Sequence, residues 1–267
     1  MEKGMTYNYH THTYRCRHAA GAEEDYVVKS IECGIKYMGF SEHIPFVFPD
    51  GYESPFRVPS CEGRDYVSTI AALREKYKQE IDIKVGFEME YYPSYFNQML
   101  QKAVEYGGEY LILGQHFLHE EYPGGIKTNK ENYSTDDLKE YVSCIVSGIQ
   151  SGVYTYIAHP DVLKFKGDIE LYRNEMRKIC VASRICNVPL EINFLGINTN
   201  RNYPNEIFWE IAGEENAPVT FGFDAHNTDS HFAESAFMKA MNIVEKYKLN
   251  YIGRPDIILI QDGLKQS

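Results

Sequence analysis

Short apolar segments and helical patterns alternate along almost the whole chain, and this alternation strongly limits the possible folds. Seven segments are rich in aliphatic, aromatic or β-branched residues and have glycine or polar flanks, which is typical of buried strands. They are Thr6–His12, Lys36–Ser41, Asp82–Glu88, Tyr110–Gly114, Tyr154–His159, Pro189–Asn193 and Val219–Asp224. Tyr251–Ile260 is a candidate for one further strand.

A helical pattern follows each of the seven strands. The first helix should end before Gly34, because glycine readily adopts the left-handed conformation beyond a helix C-terminus. The predicted helices are Ala22–Cys33, Glu62–Lys78, Ser94–Tyr106, Thr135–Ser151, Ile169–Cys186, Pro204–Glu215 and Ser230–Lys248. Repeated strand and helix units predict a parallel α/β sheet closed into a barrel. One such domain accounts for residues 1–267.

A His-x-His pair ends the first predicted strand, where His10 and His12 project from the same face. Alone, such a pair is more often two hydrogen-bonded histidines that bind nothing. Later strands, however, also end in residue types that bind metals. These residues are His43, Glu88, His116, His159, Asp224 and His226. Because the C-terminal ends of barrel strands meet at one mouth, the pattern predicts a polynuclear metal site there.

Charge and cysteine usage exclude several classes of protein. Lys and Arg number 27 against 38 Asp and Glu, a net charge of −11, and no basic run indicates binding to extended nucleic acid. The six cysteines form no Cys-x-x-Cys pair, and nothing resembling a signal peptide precedes Tyr7. No apolar run approaches the roughly 18 to 20 residues that cross a bilayer. We therefore expect a cytoplasmic protein that does not enter membranes.

The strand-end motifs together resemble those of the polymerase and histidinol phosphatase (PHP) family, in particular its histidinol-phosphatase branch. The resemblance covers nearly the whole chain and implies a distorted (β/α)7 TIM-like barrel with a trinuclear metal centre at the C-terminal strand ends. The motifs are His10-Thr11-His12-Thr13 with His18, Gly39-Phe40-Ser41-Glu42-His43, Gly86-Phe87-Glu88, Gly114-Gln115-His116-Phe117, Ala158-His159-Pro160-Asp161 and Gly222-Phe223-Asp224-Ala225-His226.

The resemblance also implies how the ligands are shared among the metals. The first metal would be held by His10, His12, Glu88 and Asp224. Glu88 would bridge to a second metal held by His116 and His159, and the third would be held by His18, His43 and His226. Catalytic roles fall on Glu88, Asp224 and His226. Imidazoles with few carboxylates suit two to three divalent ions of zinc, iron or manganese, and no cysteine ligand is expected.

Two positions depart from the family pattern. Asn8 stands where members often carry an aspartate, so a carboxylate that orients a ligand would be missing. The fourth strand ends in Gly114-Gln115-His116 with His119 three residues later. We prefer His116 as the ligand, which leaves His119 for the substrate or for no role.

Three long loops follow strands and should lie on the active face of the barrel: Ile44–Cys61, Phe117–Ser134 and Phe194–Tyr203. Arg15, Arg17 and Arg201 fall on loops of this face. Guanidinium groups bind phosphate through paired hydrogen bonds, so these arginines are candidate substrate contacts. The alternative is that each is an ordinary surface arginine.

Polar residues at or near strand ends have more open roles. Asn193 is a candidate for contact with the substrate or with a metal ligand, whereas Glu191, deeper in the same strand, should form structural hydrogen bonds. Glu42 and Asp161 adjoin candidate ligands. Each could orient a ligand or pass a proton, and the alternative is a solvated or structural carboxylate. Tyr203 is expected in the pocket wall.

The resemblance implies a metal-dependent phosphoric monoester hydrolase. The first candidate substrate is L-histidinol phosphate, an intermediate of histidine biosynthesis, cleaved by a metal-activated hydroxide without a protein nucleophile. Two alternatives stay open: a PHP-type phosphoesterase acting on nucleotides or other phosphate esters, and a non-catalytic metal-binding module. The sequence does not indicate an oligomeric state.

Overall fold

Eight parallel strands form the central sheet in the computed structural model, which describes residues 4–130, 133–228 and 234–263. The strands are β1 Tyr7–Asn8, β2 Tyr37–His43, β3 Asp82–Glu88, β4 Tyr110–Leu113, β7 Tyr154–Ile157, β8 Leu190–Asn193, β9 Pro218–Gly222 and β10 Asn250–Tyr251, and they are adjacent in this order. A separate antiparallel hairpin, β5 Phe117–Leu118 and β6 Ile126–Lys127, lies in a loop predicted without regular structure.

The sheet curls so that the residues just after β1 meet the residues just after β9 at the C-terminal ends of the strands. Thr11 and Ala225 form an isolated parallel bridge, and His12 N donates to Ala225 O at 3.0 Å. At the other end β10 pairs with β9, and the Tyr251 hydroxyl lies 3.2 Å from that of Tyr7 in β1. The prediction of a distorted TIM-like α/β barrel is therefore confirmed.

The first and last strands are shorter than predicted. Regular pairing of β1 stops after Asn8, because its side-chain Oδ1 accepts a hydrogen bond from the backbone of His10 at 3.1 Å. Strand β10 covers only two residues, whereas the sequence predicted a strand over Tyr251–Ile260. Gly253 adopts a φ of 71° just beyond it and turns the chain away from the sheet.

Helices surround the barrel close to their predicted positions. They are α1 Glu23–Glu32, α2 Gly63–Tyr77, α3 Phe96–Tyr106, α4 Thr135–Gln150, α5 Ile169–Cys186, α6 Phe194–Asn198, α7 Glu206–Glu214, α8 Glu234–Tyr247 and α9 Ile260–Gly263. The short helices α6 and α9 were not predicted, and the predicted start of the last long helix, at 230–233, lies outside the described residues. In the described ranges, no helix has both the length and the apolar character needed to span a membrane.

Capping residues explain where several helices begin and end. Ser134 accepts from Asp137 N at 3.1 Å at the start of α4, and the Asp137 carboxylate returns the contact to Ser134 N at 2.7 Å. Asp168 Oδ1 accepts from Leu171 N at 2.7 Å at the start of α5, and Asn187, whose φ is 54°, follows the end of this helix. Gly34, with a φ of 80°, follows α1 as predicted. These signals fix the loops that reach the barrel mouth.

A buried tyrosine fills the barrel beneath the mouth. The Tyr110 hydroxyl donates to Tyr9 O at 2.8 Å or to Phe40 O at 3.0 Å. A Cβ atom on Gly39 would lie 2.2 Å from this hydroxyl, so only glycine admits the ring there. The tyrosine closes the floor under the strand ends, which therefore open to one side only.

Candidate metal centre

All nine predicted ligands converge at the C-terminal mouth of the barrel. Their potential ligand atoms form overlapping sets whose members lie within 4.8 Å of one another. The sets are His10, His12 and Glu88; His10, His159 and Asp224; His43, Glu88 and His116; and His18, His43 and His226. The mouth of the barrel thus contains one continuous cluster of imidazoles and carboxylates.

The deepest part of the cluster surrounds the His-x-His pair. His10 Nε2 and His12 Nε2 face each other at 3.2 Å. Glu88 Oε2 lies 3.3 Å from His12 Nε2, and Asp224 Oδ1 lies 3.5 Å from both histidine nitrogens. Two imidazoles and two carboxylates therefore direct lone-pair atoms into one small buried volume, which matches the donor set of a divalent transition metal.

Glu88 extends the cluster to a second group of histidines. Its Oε1 lies 3.1 Å from His159 Nε2 and 3.4 Å from His116 Nε2, while its Oε2 lies 3.1 Å from His43 Nδ1. The carboxylate reaches both groups at once because it projects from the end of β3 into the centre of the mouth. This is the position that a bridging ligand requires.

Unpaired buried atoms provide a further test of whether metals fit. His43 Nδ1 and Glu88 Oε2 are buried, point at each other within the cluster, and have no hydrogen-bond partner in the described chain. Leaving such atoms unsatisfied is costly, and native proteins rarely do so. Cations among these atoms would satisfy them, so the residues present fit metal ions.

The pKa values of Glu88 and His12 also indicate that the deepest part of the cluster favours positive charge. Burial alone would raise the pKa of Glu88, but the neighbouring His116, His43 and His10 hold it well below its ordinary value. Burial lowers the pKa of His12, but contacts with the carboxylates of Glu42 and Glu88 outweigh this and raise it to about 9. Protons and metal ions therefore compete for these atoms.

Two candidate ligands, His18 and His43, have pKa values below the ordinary value for histidine. Burial, with the nearby His226 and His12, lowers the pKa of His18 to about 4. His18 is therefore a neutral imidazole at physiological pH, the form in which histidine binds a metal. Its Nδ1 is held 2.8 Å from Cys16 O, which leaves Nε2 for the cluster.

Three buried carboxylates stand behind the histidines. Glu191 Oε1 lies 2.8 Å from His10 Nδ1, and Glu90 Oε1 lies 3.0 Å from His116 Nδ1. Glu42 Oε2 is farther, 3.5 Å from His12 Nδ1. A carboxylate in this position holds the proton on one ring nitrogen and directs the other toward the metal. Glu191 is thus more than the structural residue expected, since it also accepts from His159 N at 3.1 Å.

The presence of Asn8 in place of an aspartate does not leave the site without a carboxylate that orients a candidate ligand. Its Nδ2 donates to His10 O at 3.2 Å and to Thr11 Oγ1 at 2.8 Å, and its Oδ1 accepts from Phe223 N at 3.0 Å. An aspartate has no N–H groups for the first two contacts. Asn8 therefore joins β1 to the segment after β9, while Glu191 orients the imidazole of His10.

Two glycines of the strand-end motifs make room for these carboxylates. A Cβ on Gly114 would lie 1.8 Å from Glu88 Oε1, and one on Gly222 would lie 1.7 Å from Glu191 Oε1. Two ligands also adopt left-handed backbone conformations, with φ of 31° at His159 and 50° at Asp224. Such strain in non-glycine residues is characteristic of functional sites.

The cluster opens into a cavity of about 420 Å³. Beyond the ligands, its wall consists of Phe56, Phe117, Lys127, Thr128, Asn129, Val162, Leu195, Arg201 and Tyr203. Arg201 Nη1 donates to the Tyr203 hydroxyl at 2.9 Å. Of the predicted substrate contacts, Arg201 therefore lies at the cavity, and Tyr203 walls it as expected.

The other two arginines, Arg15 and Arg17, do not line the described cavity. Arg15 is buried, forms an ion pair with Glu23 and has Nη1 2.8 Å from Asp65 Oδ2, so these carboxylates hold it away from the ligands. Arg17 is exposed and follows a short helical turn with a φ of 66°. Its side chain is absent from the described cavity wall.

His119 and Asn193 do not line the described cavity. The His119 side chain is 54% exposed and pairs with Glu140 at 2.6 Å, because its left-handed backbone turns it toward α4. The geometry thus brings His116, rather than His119, into the cluster. Asn193 is buried and donates to Asp224 Oδ2 at 3.1 Å, so it contacts a ligand and not the cavity.

Two residues beside ligands have structural contacts. Asp161 Oδ2 accepts from Asn205 N at 2.6 Å and from Trp209 Nε1 at 2.9 Å, which joins the loop after β7 to α7. Cys16, which was not expected near a metal, lies within the ligand distance of His12 and His226. Its thiol donates to Thr13 O at 3.2 Å, and burial raises the pKa of the thiol well above its ordinary value.

Sequence reasoning missed Glu90, Arg57 and Lys127. Glu90 was detectable, because it lies two residues beyond Glu88 and alternation along an extended segment places both on one face. No pattern indicates Arg57 or Lys127, whose positions depend on how the long loops fold.

A TIM-like barrel with such a cluster at its strand ends defines a class of metal-dependent barrel proteins. The PHP domain profile matches residues 8–194. The chain therefore belongs to the PHP domain family, which confirms the resemblance.

Named relatives and solved structures are similar over most of the chain. The probable histidinol-phosphatase of Deinococcus radiodurans is 23% identical over 81% of this chain and 85% of its own length. The histidinol-phosphatase of Bacillus subtilis is 23% identical over 86% and 97%, respectively. The crystal structure of histidinol phosphate phosphatase from Lactococcus lactis, in complex with zinc, L-histidinol and phosphate, has a TM-score of 0.70 at 20% identity, covering 94% of this chain and 98% of that one.

Proposed function

We propose that the chain is a metal-dependent phosphatase that hydrolyses L-histidinol phosphate to L-histidinol and inorganic phosphate. The observation that carries this proposal is the convergence of nine ligands around Glu88 beside a cavity with two cationic side chains, Lys127 and Arg201. The names of the two relatives, and the zinc, L-histidinol and phosphate in the Lactococcus lactis structure, support the substrate.

The metal content is part of the proposal: two to three ions of zinc, iron or manganese. His10, His12, Glu88 and Asp224 would hold one ion, and His116 and His159 would share a second with Glu88. His18, His43 and His226 would hold the third. When bound, such ions supply Lewis-acid activation of water and neutralise charge on phosphate oxygens.

The residues of the chain position the substrate and keep the ligands in the correct protonation state. Glu191 and Glu90 hold the Nδ1 protons of His10 and His116, so that the Nε2 atoms face the cluster. Arg201 and Lys127 offer positive charge to phosphate oxygens across the cavity. In this proposal the attacking group is water rather than a side chain of the wall.

The aromatic and apolar wall would enclose the leaving alcohol. Phe56 and Phe117 lie on one side with ring centroids 5.6 Å apart, and Tyr203, Val162 and Leu195 contribute further wall. The Tyr203 ring centroid lies 5.9 Å from that of His159, so the wall begins directly at the ligands. These surfaces suit an imidazole ring, which can stack on aromatic side chains.

The setting of the enzyme is also a proposal. We propose a single catalytic unit over residues 1–267 that acts on a small molecule in a reducing, cytoplasmic environment. Its six cysteines are all free, as a reducing compartment requires. Its net charge of −11 is unfavourable for binding extended nucleic acid.

Steady-state kinetics test the proposed reaction. We expect kcat/KM for L-histidinol phosphate to exceed that for sugar phosphates, nucleoside monophosphates and phosphotyrosine by at least about tenfold, or ~1.4 kcal/mol of discrimination. A smaller preference would overturn the named substrate but retain a phosphatase. A generic aryl phosphate, its bis-aryl diester and a metal-free control separate a monoesterase from a diesterase and from a protein that only binds metal.

A further inference from the structure

Arg57 is a buried cation that the proposed reaction does not use. It lies in the loop Ile44–Cys61, and its side chain is only 1% exposed. Arginine is rarely buried to this extent unless its charge and its donors are matched by partners. The identity of those partners indicates why the charge is there.

The guanidinium joins three separate segments of the barrel mouth. Arg57 Nη2 donates to Glu90 Oε2 at 2.7 Å, just after β3. Both Nε and Nη2 donate to Glu121 Oε2, at 2.9 and 2.8 Å, in the loop that carries the β5–β6 hairpin. Nη1 lies 3.3 Å from Ile44 O, immediately after β2. One side chain therefore connects two long loops to the ends of two strands.

Two of these contacts lead directly to candidate ligands. Because Arg57 occupies Glu90 Oε2, the other oxygen of Glu90 is left for His116 Nδ1, at 3.0 Å. Ile44 adjoins His43, and the residue after Arg57 donates its backbone N–H to His43 O at 3.4 Å. The rings of His43 and His116 lie 5.0 Å apart, on either side of Glu88.

We propose that Arg57 is a positioning residue for the metal centre: it fixes Glu90, and through Glu90 and the backbone beside His43 it orients His116 and His43 toward Glu88. This inference rests on the proposed metal site. Arg57 holds the Glu90 carboxylate in one orientation, so that His116 Nδ1 keeps its proton and Nε2 remains directed at the cluster, 3.4 Å from Glu88 Oε1.

A buried arginine with two carboxylates is a poor choice for stability alone. Removing three charged groups from water is costly, and apolar side chains of similar volume are often at least as stabilising. Phe48 and Phe56 already flank the guanidinium, with ring centroids 5.8 and 4.9 Å from its central carbon. We therefore attribute the buried charge of Arg57 to its role in orienting the Glu90 carboxylate.

Zinc affinity measured by chelator competition tests the inference. The main variant is R57M/E121Q, in which Glu121→Gln avoids leaving a second buried carboxylate unpaired. We expect the two zinc ions assigned to His116 and to His43 to bind about 10- to 100-fold more weakly, while the ion between His10 and His12 keeps its affinity. Arg57→Lys, which retains the charge but lacks the planar fork, should show a smaller loss and serves if the double variant does not fold.

Arg74→Met is the matched control. Arg74 also connects a backbone carbonyl, Ile83 O at 2.7 Å, with a carboxylate, that of Glu109, but it does so away from the cluster. It should affect thermal unfolding without changing zinc affinity. Imidazole 15N NMR of the metal-free proteins, recorded at a pH above the raised pKa of His116, adds a signature, since the Nδ1–H form of His116 should dominate in the wild type and be mixed with the Nε2–H form in R57M/E121Q.

Zinc binding is measured without substrate, so this test is independent of the proposed reaction. If the wild type binds zinc but does not hydrolyse histidinol phosphate, the proposed function fails and the role of Arg57 is still decided by affinity. Unchanged zinc affinity in a folded R57M/E121Q protein, or in Arg57→Lys if only that variant folds, overturns the inference.

Discussion

The inner ligand layer and the outer cavity wall are built on different principles. His10, His12, Glu88 and Asp224 are buried at the end of strands or just beyond them, and their positions follow from the barrel. The wall residues, by contrast, lie mostly on loops. One of the two cations of the wall, Arg201, is exposed and donates a hydrogen bond to the wall residue Tyr203. In the proposed reaction the inner layer supplies the chemistry, and the outer wall selects the molecule that undergoes it.

This difference predicts that Glu88→Gln has the largest effect of any single change. The amide retains the size of the side chain but loses the charge that faces both histidine groups. We expect kcat/KM to fall by at least about 1000-fold, ~4 kcal/mol, with loss of at least one metal ion. Elemental analysis and steady-state kinetics on the purified variant provide the measurement. A variant with full metal content and near-normal activity would show that the cluster is not the reactive centre.

The same difference explains what could be predicted from the sequence. Ligands at strand ends were identifiable because a parallel barrel brings those ends together whatever the loops do. Arg15 and Arg201 were indistinguishable, since both are arginines on predicted loops of the active face. Only tertiary contacts distinguish the two arginines. Glu23 and Asp65 bind Arg15, whereas Arg201, in the loop between α6 and α7, lies at the cavity.

Backbone conformation was equally invisible in the sequence. His159 and Asp224 adopt positive φ angles that no local pattern indicates, because Asp and His, although enriched in this conformation, adopt negative φ at most positions. Glu191 was assigned a structural role because alternation along β8 specifies a face but not a partner. Its partner, His10, belongs to β1 and is 181 residues distant in sequence.

The second prediction concerns the inner layer without metal. The pKa of His12 in the folded chain is raised to about 9 from an ordinary 6.5, so its proton stabilises the metal-free fold fully below pH 6.5. That stabilisation is lost as the pH rises through 9, by up to about 3 kcal/mol for a fully buried group. Metal-free protein should therefore unfold more readily at pH 9 than at pH 6.5.

Chemical denaturation at both pH values, with and without zinc, provides the measurement. Zinc should remove most of the difference, because a metal replaces the proton on the histidine. His18, whose pKa is lowered to about 4, contributes with the opposite sign but only below pH 6.5, outside this window. Equal stability of the metal-free protein at the two pH values would contradict the electrostatic description of the inner layer.

The third and smallest effect concerns the outer wall and compares two arginines. Arg201→Met should lower kcat/KM by about tenfold, ~1.4 kcal/mol, because an exposed guanidinium is partly screened when it binds phosphate. Arg15→Met should leave kcat/KM nearly unchanged but lower the free energy of unfolding, because it leaves the buried Glu23 carboxylate without its partner. Kinetics and denaturant titrations on both variants give the two quantities. If Arg15→Met reduces kcat/KM more than Arg201→Met does, the loop after β1 contacts the substrate. Arg15, rather than Arg201, would then be the arginine that binds phosphate.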